Sequence, residues 1–382
     1  MRNSADVVII GGGIIGLSVA FHLAKEKYGN IVLVEKEQLL GSGSTSKAAG
    51  GIRAQFATKE NIQMSMLSEK LFKSFKEDTG SEALFDQVGY LFLIKDDVDV
   101  TAFKKNYELQ RSLGLNVELL LPDEIKKYAP HVSLDGVQMG TFCPDDGLGD
   151  PYEFLSGYDH AVRKLGVEIE LEVEVKDIEV TSDKVTTVKT AKGNISTPLI
   201  INCTGAYSKL IGKMVGADVK IEPYRRQIVT TGELNFVKPN FPMVVDVQSG
   251  LYFHKESKGL LLGWADKSVK PSFDISLDPD YTDAILEKAL ALIPQLEDAE
   301  IANEWAGLYE TTPDHREIIG YEPAVQGMFH VAGFSGHGFM HAPAAGLVTA
   351  EILTGKTPSV DVTNYAPDRF ENEVLAGETY VI

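Results

Sequence analysis

The sequence is poor in cysteine, in long apolar runs and in positive charge. Only Cys143 and Cys203 occur among its 382 residues, which argues against a disulfide framework or a cysteine-ligated metal site. The longest apolar stretches, such as VVII before Gly11, are far shorter than the roughly 20 residues that a transmembrane helix needs. The net charge of −19 would repel nucleic acid. We therefore expect no nucleic-acid partner and no transmembrane segment.

The N-terminus has no signal-peptide pattern either, because its first apolar run leads directly into a glycine motif. We accordingly expect a cytoplasmic protein. Hydrophobic residues make up 44% of the chain and charged residues 24%, which is typical of a globular protein. The length predicts about two domains.

A glycine motif follows the first apolar strand. Residues 7–10 are apolar, Gly11, Gly13 and Gly16 come next, and a helical apolar pattern follows them. Gly11 suits the tight turn, Gly13 lets backbone amides approach a pyrophosphate, and Gly16 lets the helix pack close to the strand. The helix N-terminus would face the phosphate charge. The motif predicts a dinucleotide site.

An acidic residue ends the second apolar strand, residues 31–34. Glu35 lies 19 residues after Gly16 (35 − 16), where a carboxylate can accept hydrogen bonds from a ribose diol. This carboxylate would repel the extra phosphate of NADP, but the motif does not separate NAD from FAD.

The segment after Glu35 favours FAD. It reads KEQLLGSGSTSKAAGGIRAQF over residues 36–56, so glycines and hydroxyls follow the second strand where a simple NAD domain would continue into another βαβ unit. Free amides and hydroxyls suit further contacts to phosphate and ribitol.

From this point the sequence resembles the D-amino acid oxidase family of FAD enzymes. It is most similar to the beta subunits of heterotetrameric sarcosine oxidase and archaeal proline dehydrogenase, and to glycine oxidase. The stretches that carry the resemblance are IIGGGIIGLSVAFHLA, VLVEK, GSGSTSKAAGGIR, INCTGAYS, YETTPDHREIIG and GFSGHGFMHAPAAG.

The resemblance implies an α/β plus α+β architecture. A Rossmann-like FAD-binding domain of the glutathione reductase type would be interleaved with a substrate domain built on a mixed, largely antiparallel sheet. We expect residues 1–87, 142–222 and 318–382 in the FAD-binding domain, and residues 88–141 and 223–317 in the substrate domain. Alternation predicts one strand over 85–96, and apolar patterns predict a strand over 167–175 and a helix over 342–353.

The expected cofactor contacts come from six places: the glycine motif, the end of the second strand, the hydroxyl-rich loop, the strand over 167–175, the small-residue turn after INC, and the glycine-rich stretch near the C-terminus. Their residues are Gly11, Gly13, Ile14, Ile15, Gly16, Glu35, Lys36, Gly43, Ser44, Thr45, Ser46, Gly50, Gly51, Val173, Thr204, Gly205, Gly336, His337, Gly338, Phe339 and Met340. We expect the FAD to be non-covalent, since Gly307 stands where monomeric sarcosine oxidase has its flavin-linking cysteine.

Three residues are candidates for the catalytic site: Arg53, Tyr252 and His337. Arg53 ends GGIR, where relatives place a substrate-binding arginine, and its guanidinium would suit a carboxylate or the flavin face. Tyr252 matches a tyrosine that relatives use on the substrate carboxylate. His254 shares its strand face, and we expect it to be exposed. Arg225 and Arg226 are reserve candidates for the carboxylate contact.

Two departures from the family leave the substrate open. Glycine oxidase and D-amino acid oxidase have a carboxylate-binding arginine where this chain has Tyr309, and monomeric sarcosine oxidase has a lysine where it has Met340. A metal site is not expected, because His337 and His341 have no carboxylate beside them in the sequence.

The function that we expect is FAD-dependent oxidation of an amino acid, preferably a secondary amine such as sarcosine or L-proline, by hydride transfer to flavin N5. The alternatives are oxidation of a 2-hydroxy acid or glycerol phosphate, and an electron-relaying flavoprotein subunit of a larger complex. The electron acceptor would be O₂, another protein or a quinone, and the chain could be one subunit of a hetero-oligomer.

Overall fold

The computed structural model describes residues 2–371 and 377–380. Its strands are β1 Val7–Ile10, β2 Ile31–Val34, β3 Gly51–Ile52, β4 Phe85–Asp86, β5 Tyr90–Ile94, β6 Glu118–Leu120, β7 Met139–Cys143, β8 Gly147–Gly149, β9 Glu168–Glu170, β10 Val175–Thr181, β11 Lys184–Thr190, β12 Gly193–Ser196, β13 Ile200–Asn202, β14 Glu222–Thr231, β15 Met243–Asp246, β16 Leu251–Glu256, β17 Gly259–Trp264, β18 Ile301–Thr311, β19 Ile318–Tyr321 and β20 Met328–Ala332. Its α-helices are α1 Ile14–Lys25, α2 Lys59–Lys73, α3 Phe75–Thr79, α4 Asp97–Ser112, α5 Pro122–Ile125, α6 Pro151–Lys164, α7 Ser208–Met214, α8 Pro279–Leu292 and α9 Gly338–Leu353.

A six-stranded sheet with the order β19-β20-β13-β1-β2-β9 forms the first layer of the fold. Its neighbouring strands are parallel except for β19, which runs antiparallel to β20 at the edge. The strands β1 and β2 are fully buried apolar runs, as expected where both faces of a parallel sheet are covered. Helices α1 and α9 pack against each other over this sheet.

An eight-stranded sheet with the order β18-β14-β17-β16-β15-β5-β7-β6 forms the second large layer. It is antiparallel apart from the parallel pair β15 and β5. Strand β5 is buried at every position, because Leu91 and Leu93 enter one core while Tyr90, Phe92 and Ile94 enter another. The prediction of one alternating strand over 85–96 was therefore wrong: β4 and β5 are separate, and β5 is covered on both faces.

Two three-stranded antiparallel sheets complete the fold, with the orders β10-β11-β12 and β3-β8-β4. The strand predicted over 167–175 is divided into β9 and the start of β10. The chain turns between them at Glu172, whose φ of 57° lies in the left-handed region. Helix α9 begins at Gly338, four residues earlier than predicted, so its first turn lies inside the glycine-rich stretch.

The expected fold class, a Rossmann-like α/β layer combined with a mixed and largely antiparallel sheet, is confirmed. All strands of the six-stranded sheet fall in ranges expected for the FAD-binding domain, while β7 extends to residue 143 and β14 begins at residue 222. The domain boundaries remain a proposal. Within the described residues, we find no helix that combines the length and the apolar character required to cross a membrane.

A buried pair of carboxyl groups joins α2 to the loop between β7 and β8. Glu69 and Asp146 are hydrogen-bonded to each other, and burial raises the pKa of Glu69 to about 10 and that of Asp146 to about 6. Asp146 also accepts hydrogen bonds from the Ala54 amide (3.0 Å) and the Gln55 side chain (3.0 Å). Glu69 is therefore protonated at neutral pH and donates to Asp146.

This pair should make the free energy of unfolding decrease as the pH rises above neutral. The folded-state pKa of Glu69 lies above its ordinary value of 4.5, so the folded protein binds the extra proton and loses stability as the pH rises towards about 10. Glu69→Gln keeps a donor to Asp146 but cannot lose a proton. We expect wild-type protein to lose more unfolding free energy than this variant between pH 7 and pH 9 in urea denaturation, by up to about 1.4 kcal/mol per pH unit.

Glu77→Gln is the matched control, since Glu77 is an exposed glutamate on the neighbouring helix α3. It should retain the wild-type pH dependence. An identical pH dependence for Glu69→Gln and wild type would show that Glu69 carries no such proton.

Candidate active site

A single long cavity of about 520 Å³ runs between the two large sheets. One wall consists of the loops that follow β1, β2, β13 and β20 at the carboxyl edge of the parallel strands, where α/β folds bind their ligands. The opposite wall consists of residues from β14, β16 and β18 of the eight-stranded sheet.

The glycine motif shapes one end of this cavity. Gly11 has a φ of +108°, and a Cβ there would lie 2.4 Å from the Cys203 carbonyl oxygen. At Gly13 a Cβ would approach only the Thr45 hydroxyl, at 3.2 Å, so the backbone here is open to the cavity. Gly13 is the N-cap of α1 and offers no side-chain cap, while the Ile14 amide donates to Thr45 Oγ1 (3.1 Å).

Glu35 is held in place by backbone amides beside this turn. It accepts hydrogen bonds from the Gly12 amide (2.7 Å) and the Glu37 amide (2.9 Å), and it lines the cavity. Lys36, next in sequence, lies over the ring of Tyr207, with its Nζ 3.8 Å from the ring centroid. The carboxylate is therefore fixed at the mouth of the turn, as a ribose contact requires.

The predicted cofactor residues line this one cavity, with two exceptions, Gly16 and Ser46. Gly16 lies inside α1, and a Cβ there would be 1.9 Å from the Gly11 carbonyl oxygen, so its role is close packing of helix on turn. Ser46 is exposed and its hydroxyl reaches only the Gly43 carbonyl oxygen, at 3.4 Å. Direct cofactor contact by the remaining residues stays a prediction.

Two tyrosines form the wall at the other end. The Tyr252 hydroxyl donates to the Tyr309 hydroxyl, which together with burial raises the pKa of Tyr252 well above its usual value. Glycines make room for both rings: a Cβ at Gly263 would lie 2.1 Å from Tyr252, and one at Gly336 would lie 2.3 Å from Tyr309. The tyrosine pair therefore depends on glycine at two distant positions.

Arg53 lines the same end of the cavity, but much of its side chain is engaged by the protein. Its NH1 donates to the Gln55 carbonyl oxygen (2.6 Å) and its NH2 to the Tyr380 carbonyl oxygen (2.9 Å). The guanidinium lies 4.1 Å from the centroid of the Phe56 ring. Arg53 thus supplies a fixed positive charge at the cavity wall.

His254 is buried, so the expectation that it is exposed was wrong. Its Nε2 is 2.9 Å from the Ala49 carbonyl oxygen, and its Nδ1 is 2.7 Å from the Lys255 carbonyl oxygen. The loop before β3 covers this face of β16. Burial lowers the pKa of His254, and the ring ties the loop to the sheet through these two carbonyl groups.

A carboxylate does lie beside His337 and His341, although the sequence around them has none. Glu317 reaches both rings from the start of β19: its oxygens lie 3.2 Å from His337 Nε2 and 3.0 Å from His341 Nδ1. The two histidines together hold the pKa of the Glu317 carboxyl well below its usual range despite burial. The sequence stretch itself has no carboxylate, as stated above, but the fold brings Glu317 to the two histidines from outside it, so the expectation that no metal is bound stays a prediction.

His337 is neutral in this setting. Burial lowers its pKa to about 4, and the Glu317 carboxylate only partly offsets this effect. Since Nε2 faces the carboxylate, this nitrogen carries the proton, and Nδ1 has no hydrogen-bond partner within residues 2–371 and 377–380. The side chain fixes the first turn of α9 against the core.

Sequence reasoning missed several residues of the cavity, notably Glu310, Tyr90 and Lys47. Glu310 is the most unusual, because burial raises its pKa to about 7 while it accepts a hydrogen bond from the Gly333 amide (3.0 Å). The available signal was its place beside Tyr309 in the YETTPD stretch. Strand alternation would have turned it away from Tyr309, yet both residues line the cavity.

The residues present fit an FAD molecule. The cavity joins an open glycine turn and the fixed Glu35 carboxylate to a tyrosine wall facing the glycine turn before α9. Helices α1 and α9 both begin at this cavity, and in neither does the side chain of the N-cap residue bond to the first turn. Their positive ends suit a diphosphate and the electron-rich edge of a flavin ring. The geometry defines the class: a dinucleotide-binding protein with a Rossmann-like sheet.

Comparison with known proteins identifies the family. The sequence model of the family described as "FAD dependent oxidoreductase" (DAO) matches residues 6–352. The chain therefore belongs to this family. The FAD cofactor and the resemblance inferred from the sequence are thereby confirmed.

The relatives differ in length and activity. The structure of L-proline dehydrogenase from P. horikoshii superposes with a TM-score of 0.91 at 34% identity, covering 97% of this chain and 99% of that one. Human mitochondrial dimethylglycine dehydrogenase is 30% identical over 97% of this chain, but the chain spans only 45% of that protein's length. FAD-dependent oxidoreductase domain-containing protein 1 of Xenopus laevis is 29% identical, over 96% of this chain and 82% of its own length.

Gly13→Ala should weaken FAD binding without unfolding the protein. The backbone at Gly13, with a φ of −79°, is one that alanine adopts readily, and the added methyl group meets nothing in the protein closer than 3.2 Å. The methyl group would instead project where the diphosphate is expected. We expect the FAD dissociation constant of the apoprotein to rise at least tenfold in a fluorescence titration. This corresponds to a loss of about 1.4 kcal/mol of binding free energy.

Gly11→Ala provides the contrast. Its left-handed backbone and the 2.4 Å approach to Cys203 should lower the thermal stability of the apoprotein itself. Wild-type FAD affinity in Gly13→Ala would mean that the diphosphate does not lie against this turn.

Proposed function

We propose that the protein oxidises an amino acid, preferably one with a secondary amine such as sarcosine or L-proline. The observation that carries this proposal is the polar, cationic wall at the far end of the cofactor cavity, formed by Tyr252 and Tyr309 with Arg53 and Arg226. Hydroxyl and guanidinium groups are the donors that a carboxylate requires. The proposal is supported by the similarity of the chain to proteins named L-proline dehydrogenase, sarcosine dehydrogenase and dimethylglycine dehydrogenase.

When bound, FAD supplies the hydride acceptor. The chain's own residues then have three tasks. Tyr252 and the cationic groups orient the substrate carboxylate, and the fixed positive charge of Arg53 favours negative charge at the flavin end of the cavity. His337 remains neutral at pH 7, so it adds no further positive charge to repel a protonated amine as it enters.

Electron acceptor and assembly complete the proposal. O₂, another protein or a quinone would reoxidise the enzyme, and the chain could work as one subunit of a hetero-oligomer, as do the beta subunits that its sequence resembles. A cytoplasmic location also remains part of the proposal.

Anaerobic reduction of the holoprotein tests the substrate class. We would add sarcosine, L-proline, glycine, D-alanine or a 2-hydroxy acid and record the visible absorbance of the bound FAD. Bleaching by a secondary amine is expected, with much slower bleaching by glycine and D-alanine. Bleaching by the hydroxy acid alone would replace the proposal by oxidation of a CH–OH donor.

A dithionite titration of the same sample is the control. It establishes that the bound FAD can be reduced, so that an absence of bleaching by every amino acid would contradict the proposed function rather than reflect an inactive preparation. Readmitting air after substrate reduction then separates an oxidase, which regains its absorbance within seconds, from a dehydrogenase.

A further inference from the structure

Three arginines lie near the tyrosine wall, and the structure gives them different surroundings. Arg225 forms an ion pair with Asp278 (2.7 Å) and donates to the Ser276 carbonyl oxygen (3.0 Å), so it fixes the loop before α8. It does not line the main cavity. Arg53 donates to two carbonyl oxygens and stacks on Phe56, as described above.

Arg226 differs from Arg225 because it lines the main cavity, and from Arg53 because one of its buried guanidinium nitrogens has no acceptor in the described part of the chain. It lines the cavity, and its guanidinium lies 5.3 Å from the centroid of the Tyr309 ring. Its NH1 donates to the Arg225 carbonyl oxygen (3.0 Å), while its Nε is buried and, like the Nε of Arg225, finds no acceptor in the described part of the chain. The same part of the chain contains no carboxylate within ion-pair distance of Arg226.

Strand register explains how Arg226 comes to the cavity. In the antiparallel pair β14–β18, Arg226 lies opposite Gly307, and Tyr224 lies opposite Tyr309. Gly307 leaves space beside Arg226, and the Lys47 side chain occupies part of it, with its Cβ 2.6 Å from where a Gly307 Cβ would stand. A second cation therefore approaches the same place, but Lys47 belongs to the loop after β2 rather than to the sheet.

We propose that Arg226 binds the carboxylate of the substrate, beside the Tyr252–Tyr309 pair. A buried guanidinium nitrogen without an acceptor is costly, and a carboxylate would supply both the acceptor and the opposite charge. Arg226 would thereby take the place of the arginine and the lysine that relatives have at the positions of Tyr309 and Met340. This assignment rests on the proposed function.

Binding of a non-oxidisable acid tests the assignment without turnover. We would titrate FAD-loaded protein with pyrrole-2-carboxylate and with the neutral pyrrole-2-carboxamide, and follow the perturbation of the flavin absorbance. In Arg226→Gln the dissociation constant of the acid should rise about 10- to 100-fold, whereas that of the amide should change little. Arg226→Lys should lie between, because lysine keeps the charge but loses the planar fork.

Arg225→Gln is the matched control, since it removes an adjacent arginine that points away from the cavity. It should bind the acid as wild type does, and thermal melting should show that all variants remain folded with FAD bound. An equal loss for acid and amide in Arg226→Gln would overturn the assignment. So would a selective loss of acid binding in Lys47→Met with none in Arg226→Gln.

The outcomes also separate this assignment from the proposed function. If wild-type protein binds the acid through Arg226 but no amino acid reduces the flavin, the carboxylate site stands and the amine chemistry fails. If amino acids reduce the flavin and Arg226→Gln binds the acid normally, the proposed function stands and the assignment of Arg226 fails.

Discussion

The close packing of α1 on α9 is the constraint on which the cofactor site depends. The two helices cross where a Cβ at Gly346 would lie 2.2 Å from the Ser18 hydroxyl, so glycine alone allows this approach. Because the helices begin after β1 and β20 of the same sheet, their packing brings both N-termini to one cavity. The positive helix ends then act on the two halves of a single dinucleotide.

The substrate wall is positioned by the strands of the largely antiparallel eight-stranded sheet. Tyr252 and Tyr309 come from β16 and β18, which are separated in the sheet by β17 and β14, and their side chains meet at the cavity. Glycines at 263 and 336 leave the space that the two rings fill. The placement of the two tyrosines therefore depends as much on the lack of a side chain at residues 263 and 336 as on the tyrosines themselves.

The sequence predicts best where the signal is local. The strand–glycine–helix unit and Glu35 lie within a short segment, so spacing alone fixes their relation. Glu317 could not be found in this way, because it reaches His337 from a different element across the core. His254 shows the same limit: alternation gives the strand face but cannot reveal that the Ala49 loop covers it. The predicted strand over 167–175 fails because a single left-handed residue, Glu172, is enough to divide it.

The order of strands in the parallel sheet has a consequence for how the chain is made. Strand β1 leaves the ribosome before the other strands of its sheet, yet one of its two neighbours, β13, begins at residue 200, and β13 also pairs with β20, which begins at residue 328. Closing loops of this length costs entropy before any pairing repays it, so folding should be slow compared with that of a helical protein of the same size. During synthesis the edge of β1 that later pairs with β13 stays unpaired until residue 200 has been made. A nascent protein of this topology is therefore a natural client for chaperones that shield unpaired strands.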